Sequence, residues 1–128
     1  MISLDYYDTI LLDCDGVIFD SNNLKLDAFR KALDSYDGKK VDQFIEYFRE
    51  NFGVSRYVLA EKFIADYLHM DFDDGVYSHI LKKYSDNCIL LYNECSFTKN
   101  FFDFINYYEN KNLFVASGSD EEELRKVF

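Results

Sequence analysis

Two short apolar runs, each ending abruptly in small or acidic residues, constrain the fold of this chain more than any other feature. The first run, residues 9–12, leads into an acidic turn that begins at Asp13; the second, residues 113–116, leads into Ser117. A short apolar run bounded by a turn is typical of a buried strand in a parallel sheet. The sequence therefore predicts one such strand near each end of the chain.

The stretch between these runs has the apolar spacing of helices. The predicted helical stripes are Leu24, Phe29, Ala32 and Leu33; Val41, Phe44, Ile45 and Phe48; Tyr57, Ala60, Phe63, Ile64 and Leu68; Val76, Ile80, Leu81 and Tyr84; and Phe101, Phe102, Ile105 and Tyr108. We expect Ser55 to cap the third helix, and the acidic run 121–123 to open a sixth. A helical insertion of about 70 residues is longer than a crossover between parallel strands needs. The pattern therefore predicts an α/β protein with a helical insertion after its first strand.

Length and charge narrow the class of protein. The 128 residues suit one domain with a hydrophobic core, and a hydrophobic fraction of 48% excludes a disordered chain. With 24 acidic against 14 basic side chains the net charge is −10, which argues against nucleic acid or an anionic membrane surface as a partner. No apolar run reaches transmembrane length and the N-terminus does not resemble a signal peptide, so we expect a cytoplasmic protein.

The cysteines and histidines indicate neither a disulfide framework nor a zinc site. Cys14, Cys88 and Cys95 are odd in number, and His69 and His79 lie at no zinc-like spacing from them. We therefore expect a reduced compartment.

Asp13 and Asp15 stand where the first predicted strand ends, the place at which α/β sheets bind their ligands. Two carboxylates this close need help to stay charged together, and a hard cation such as Mg²⁺ supplies it while leaving positions for a phosphate. One carboxylate could then attack phosphorus while the other moves a proton. For this short motif alone, a solvated pair of acids in a turn is an equally good interpretation.

Ser117 and Gly118 follow the second predicted strand and precede a helix. A hydroxyl beside a backbone N–H at such a place can bind an anion. Taken alone, the segment is better explained by ordinary helix capping through Ser117 or Ser119. Two strand-end segments, one acidic and one suited to an oxyanion, form a more specific pair than either by itself.

With both segments considered, the chain resembles the haloacid dehalogenase superfamily, most of whose members are Mg²⁺-dependent phosphatases. The first motif of that family is similar to residues 10–21, which end in Asp20-Ser21, and the second is similar to residues 113–119. The resemblance implies an α/β fold with a three-layer Rossmannoid core, incomplete in this chain and formed by residues 1–19 and 96–128. Residues 20–95 would be an inserted all-helical cap.

The resemblance also implies roles for individual residues. Asp13 would be the nucleophile that forms an aspartyl-phosphate, and Asp15 would be the general acid and base. Asp13 and the backbone carbonyl of Asp15 would hold Mg²⁺, while Ser117 and the Gly118 amide would bind the phosphoryl oxygens. The second acid, Asp15, favours a phosphatase or a phosphotransferase over a dehalogenase. The expected substrate is a small phosphorylated metabolite, because a cap over the site excludes large substrates.

Arg56 lies in the part of the predicted cap, residues 51–57, where substrate contacts are most expected. Its guanidinium could form a bidentate contact with a second anionic group of the substrate. More often, such a side chain only faces solvent on the outer side of a helix. The same interpretation applies to Lys62.

Two features that the resemblance requires are not recognisable: a lysine beside the phosphoryl group and a later acidic pair for the metal. Asp73 and Asp74 belong to the helical stretch and do not replace that pair. A phosphate dianion would therefore meet Asp13 and Asp15 with too little positive charge, in a chain of net charge −10. We expect an N-terminal portion of a phosphatase, weak or inactive alone, whose exposed sheet edges invite homodimers.

The main alternative is a truncated or degenerate relative that binds a partner or a phosphorylated ligand without turnover. A response-regulator receiver also has an acidic pair at its first strand end, but the long helical stretch here replaces the alternating strands and helices that it needs. An EF-hand fails because Gly16 comes at loop position 4 instead of 6, and Leu24 occupies position 12, where a Ca²⁺ loop needs a glutamate.

Overall fold

The computed structural model describes residues 3–127, and its contacts divide the chain into two compact units. One, termed the sheet unit, comprises residues 1–21 and 95–117; the other, termed the helical unit, comprises residues 22–94 and 118–128. The main elements are β1 (Thr9–Asp13), α1 (Asn22–Ala32), α2 (Gly38–Glu50), α3 (Arg56–Lys62), α4 (Asp74–Tyr92), α5 (Phe101–Tyr107), β2 (Asn112–Ala116) and α6 (Glu121–Val127). Within residues 3–127 no helix is long and apolar enough to cross a membrane. The predicted division into a core, 1–19 and 96–128, and a cap, 20–95, stays a prediction.

The strands β1 and β2 pair in parallel and form the two-stranded sheet of the sheet unit. Asp13 at the end of β1 pairs with Ala116 at the end of β2, so both strands end at the same edge of the sheet. The predicted α/β class with a parallel sheet is confirmed. A long connection is required here, because parallel strands cannot be joined by a tight hairpin.

Burial in this sheet is lower than the sequence predicted. Ile10 is buried, but Leu11 and its register partner Phe114 are 68% and 55% exposed. The prediction of two buried strands is therefore wrong for β2, in which no residue is buried, and for the face of β1 that carries Leu11. The reason is that residues 3–127 contribute only two strands, whereas strands buried on both faces occur in larger parallel sheets.

An aromatic cluster forms the core of the helical unit. The ring of Phe29 in α1 is fully buried and lies 4.4 Å, centroid to centroid, from that of Tyr84 in α4. Its centroid also lies 5.2 Å from that of Phe44 and 5.7 Å from that of Phe48, both in α2. Tilted and edge-to-face rings of this kind add to the gain from burial. The first, second and fourth predicted stripes therefore meet in one core.

The start of α3 follows from a local signal, whereas its end does not. The hydroxyl of Ser55 accepts a hydrogen bond from the amide of Val58, which confirms the predicted cap. After Lys62 the helix continues as a π-helical turn, Phe63–Tyr67, rather than as regular α-helix. Arg56, Leu59 and Ala60 are the buried residues of α3. Arg56 thus takes the buried position of the first turn, Tyr57 is 44% exposed, and its predicted place in the core is wrong.

We predict that Phe29→Ala lowers the free energy of unfolding by about 3–5 kcal/mol, because it opens a cavity in the aromatic cluster. Phe72→Ala is the matched control, since the Phe72 ring is 61% exposed, and it should cost less than about 1 kcal/mol. Urea denaturation followed by circular dichroism measures both changes. Equal losses in the two variants would contradict the position of Phe29 at the centre of the core.

Candidate active site

Asp13 is the last residue of β1, and its side chain is exposed. Its Oδ1 accepts a hydrogen bond of 2.8 Å from the backbone N–H of Cys14, which fixes the carboxylate relative to the strand end. Its Oδ2 has no hydrogen-bond partner among the described residues 3–127. This oxygen is therefore open to a ligand at the sheet edge.

The chain turns sharply after β1, because Gly16 adopts a φ of 77° that side chains with a Cβ disfavour. The carbonyl of Cys14 accepts hydrogen bonds from the N–H groups of Ile18, at 2.9 Å, and Phe19, at 3.1 Å. The N–H of Gly16 donates to the carbonyl of Phe19 at 2.7 Å. The turn is thus closed by its own backbone and holds Asp15 in a defined place.

Ser21 orients the carboxylate of Asp15. The Ser21 hydroxyl donates to Oδ1 of Asp15 over 2.6 Å, and Ser21 is fully buried. A hydrogen bond to a charged acceptor is about twice as strong as a neutral one, so Asp15 is held from inside the fold. Sequence reasoning missed this role, because it treated Ser21 as the tail of the first motif. The available signal was a hydroxyl six residues after an acid, across a glycine turn.

Ser117 follows β2 directly, and the preceding Ala116 pairs with Asp13. Adjacent strands lie about 4.8 Å apart, so the backbone of Ser117 begins beside the acidic turn. Apart from its two chain neighbours, no described residue has an atom within 4 Å of the position that a Cβ would take at Gly118. The parallel register thus brings the acidic turn and Ser117 to one edge of the sheet.

The predicted site residues are divided between the two units. Asp13, Asp15 and Ser117 belong to the sheet unit, whereas Gly118 and Arg56 belong to the helical unit. Their roles in binding and catalysis stay predictions.

The donors at the end of β1 suit Mg²⁺ in kind. The carboxylate of Asp13 and the carbonyl of Asp15 offer oxygen ligands, and Mg²⁺ is usually bound through one or two carboxylates together with water and phosphate. Among residues 3–127 no three His, Cys, Asp or Glu side chains are grouped so that they could hold a metal. The described residues therefore supply part of a coordination shell, which phosphate and water would extend.

Arg56, in the first turn of α3, is buried and paired with Glu123 of α6. Its NH1 and NH2 groups donate to Oε2 and Oε1 of Glu123 at 2.7 and 3.1 Å, and the two side chains are 5% and 2% exposed. Burial opposes the charge of Arg56, but the hydrogen bonds and the charge of Glu123 outweigh it and raise the pKa of the guanidinium. The guanidinium of Arg56, which the sequence suggested as a binding group for an anionic substrate, is therefore already paired with a carboxylate of the chain itself. No sequence signal pointed to Glu123.

Two neutral groups of α4 border this ion pair. The guanidinium carbon of Arg56 lies 4.7 Å from the centroid of the Tyr84 ring. Burial raises the pKa of Tyr84 well above its ordinary value. Burial, followed by the charge of Glu123, raises the pKa of the Cys88 thiol to about 12. Both groups therefore stay protonated beside the pair at neutral pH.

The fold is shared with solved structures from bacteria. A protein from Clostridium difficile, provisionally named a phosphatase, matches with a TM-score of 0.62 and 18% identity over 94% of this chain and 55% of that one. A hydrolase from Pseudomonas syringae matches with a TM-score of 0.64 and 15% identity over 93% of this chain and 53% of that one. The chain thus spans about half the length of the structures that it matches.

No protein-family model matches the sequence, and no curated protein matches it significantly. At such low identities the two solved structures establish the fold of the chain, which is the fold of proteins named as a phosphatase and a hydrolase.

We predict that the free energy of unfolding falls as pH rises from 9 towards 12, with Cys88 as one source. The unfolded thiol releases its proton near the ordinary value of 9.0, whereas the folded thiol keeps it until about 12. The folded state therefore holds the additional proton in this window, and alkaline pH favours unfolding. In urea denaturation, Cys88→Ala should lose about 1 kcal/mol less than the wild type between pH 8 and pH 10. An identical pH dependence in both proteins would show that the Cys88 thiol ionises freely.

Proposed function

We propose that the chain belongs to the haloacid dehalogenase superfamily and hydrolyses a phosphate monoester with Mg²⁺. The observation that carries this proposal is the parallel register, which aligns the acidic turn after β1 with the segment that begins at Ser117. The names of the two solved structures, provisionally a phosphatase and a hydrolase, support a hydrolase-type function.

Asp13 is the nucleophile of the proposed reaction. Its Oδ2, the oxygen open to a ligand, attacks the phosphorus atom of the substrate. A bond forms between this oxygen and phosphorus, and the bond between phosphorus and the leaving alcohol oxygen breaks. The product of this step is an aspartyl-phosphate on Asp13.

Asp15 moves the proton in both steps. It first gives a proton to the leaving alcohol oxygen, and it then takes one from the water that attacks phosphorus. The second attack breaks the bond between Asp13 and phosphorus, which releases inorganic phosphate and restores the carboxylate. Ser21 holds Oδ1 of Asp15 at 2.6 Å, so the proton is carried on Oδ2.

The charge of the phosphoryl group is offset from two sides. The hydroxyl of Ser117 and the N–H of Gly118 donate hydrogen bonds to its oxygens. Mg²⁺, held by Asp13 and the carbonyl of Asp15, supplies positive charge when bound. Because these residues and the rest of residues 3–127 form no group of three acidic, His or Cys ligands, we propose that turnover by this chain alone is slow.

The proposed substrate is a small phosphorylated metabolite. Residues 22–94 form a helical insertion between the two strand-end segments in the sequence, and an inserted helical cap favours small substrates over large ones.

We predict slow, Mg²⁺-dependent release of phosphate from p-nitrophenyl phosphate, measured with protein in excess over substrate. Asp13→Asn should reduce this release to the uncatalysed rate, because an amide cannot form the aspartyl-phosphate. Asp8→Asn, at an exposed acid just before β1, is the matched control and should keep the wild-type rate.

The result that contradicts catalysis by Asp13 is release that persists in Asp13→Asn or after removal of Mg²⁺. Phosphate binding that requires Asp13, without any release, would instead favour the non-catalytic alternative.

We predict that Ser21→Ala slows phosphate release by about 10- to 100-fold with little change in KM, because Asp15 loses the group that orients it. Ser96→Ala, at an exposed serine of the sheet unit, should keep the wild-type rate. Single-turnover rates of both variants give the comparison. A wild-type rate in Ser21→Ala would exclude Ser21 as a positioning residue for the proton transfer.

A further inference from the structure

Hydrogen bonds connect the segment between β2 and α6 to helices α1 and α3. Nζ of Lys25 in α1 donates to Oγ of Ser119 over 3.0 Å. The hydroxyl of Tyr57 in α3 donates to Oδ1 of Asp120 over 2.7 Å. Two consecutive residues after Gly118 are therefore held by side chains of the helical unit.

Glu123 is the main anchor of α6. Of the α6 side chains that the structure describes, residues 121–126, only Glu123 is buried. Its carboxylate is held by both terminal nitrogens of Arg56 and by the hydroxyl of Ser85, which donates to Oε2 over 3.1 Å. The Ser85 hydroxyl also accepts from NH1 of Arg56 at 2.8 Å, so the three side chains form a closed network. Among the described side chains of α6, residues 121–126, this network is therefore the buried contact that holds the helix.

A buried ion pair of this kind contributes little to stability. Desolvation of Arg56 and Glu123 offsets much of their attraction, and well-packed apolar residues often replace such a pair without loss of stability. The two-point geometry, however, fixes both the distance and the relative orientation of guanidinium and carboxylate. An apolar pair would tolerate small shifts of α6 that the ion pair does not.

We propose that the Arg56–Glu123 pair fixes the position of residues 118–120, the segment before α6 that would bind phosphate through the Gly118 amide. By fixing α6, the pair sets the place of the Gly118 amide, which comes shortly before α6 in the chain. The inference rests on the proposed function, because that function assigns Gly118 to the phosphoryl oxygens. Arg56 acts on phosphate affinity through Glu123 and α6, without the direct contact that its sequence position suggested.

The test replaces both charges together by Arg56→Met with Glu123→Leu, so that no buried charge is left unpaired. We expect the midpoint of urea unfolding to stay close to that of the wild type. Hydrogen exchange of the backbone amides of residues 118–121 should become about 3- to 30-fold faster. The dissociation constant for inorganic phosphate in Mg²⁺, measured by calorimetry, should rise by a similar factor.

The matched control removes the exposed ion pair of the same helix, Arg125–Glu121, by replacing both residues with alanine. Both side chains of that pair are 76% exposed, so exchange at 118–121 and phosphate affinity should stay at wild-type values. A second variant, Arg56→Lys, keeps the charge but loses the two-point geometry. It should change exchange and affinity in the same direction as the double variant.

Unchanged exchange at 118–121 in the double variant and in Arg56→Lys overturns the proposal. Faster exchange with unchanged phosphate affinity also overturns it, because the pair would then be structural only. If the wild-type chain binds no phosphate, the proposed function fails, and with it the effect on affinity. The exchange rates still decide separately whether the pair positions the segment.

Discussion

The parallel pairing of β1 with β2 is the constraint on which the candidate site depends. The two strands come from opposite ends of the chain, and their backbone hydrogen bonds align Asp13 with Ala116. A shift of one residue in either strand would turn the Asp13 side chain to the opposite face of the sheet. The register therefore determines whether the acidic turn and the Ser117 segment can serve one ligand.

Side chains are held by different physical means in the two units. In the sheet unit, local hydrogen bonds do the positioning: the amide of Cys14 holds Asp13, and the hydroxyl of Ser21 holds Asp15. These contacts span one and six residues of the chain. In the helical unit, α6 is held by the pair of Arg56 and Glu123, which are distant in the sequence and meet only when the helices have packed.

The sequence was sufficient to predict the features that have local signals. Apolar runs ending in turns predicted both strands, and a serine at the right spacing predicted the cap at Ser55. The exposure of Leu11 and Phe114 could not be predicted, because it depends on how many strands surround them. The exposure of Tyr57 could not be predicted either, because apolar periodicity gave no sign that the charged Arg56, one residue earlier, would take the buried position.

The partners of single side chains were the hardest features to predict. Glu123 lies 67 residues from Arg56, and the chain has 24 acidic residues among which no pattern selects it. The contact between Ser21 and Asp15 is closer in sequence but depends on the turn between them. Asp13, Asp15 and Ser117 could be selected as candidates from the sequence, because each follows a predicted strand. The groups that orient the two aspartates, the Cys14 amide and the Ser21 hydroxyl, could be identified only from the fold.

The most direct test of the candidate site is whether Asp13 accepts a phosphoryl-like group in the presence of Mg²⁺. Beryllofluoride mimics a phosphoryl group bound to a carboxylate, and ¹⁹F NMR separates its bound from its free resonances. We expect bound resonances with the wild-type chain and Mg²⁺, and none with Asp13→Asn or after chelation of the metal. Bound resonances that persist in Asp13→Asn, or that are missing from the folded wild-type chain, would contradict the assignment of Asp13 as the nucleophile.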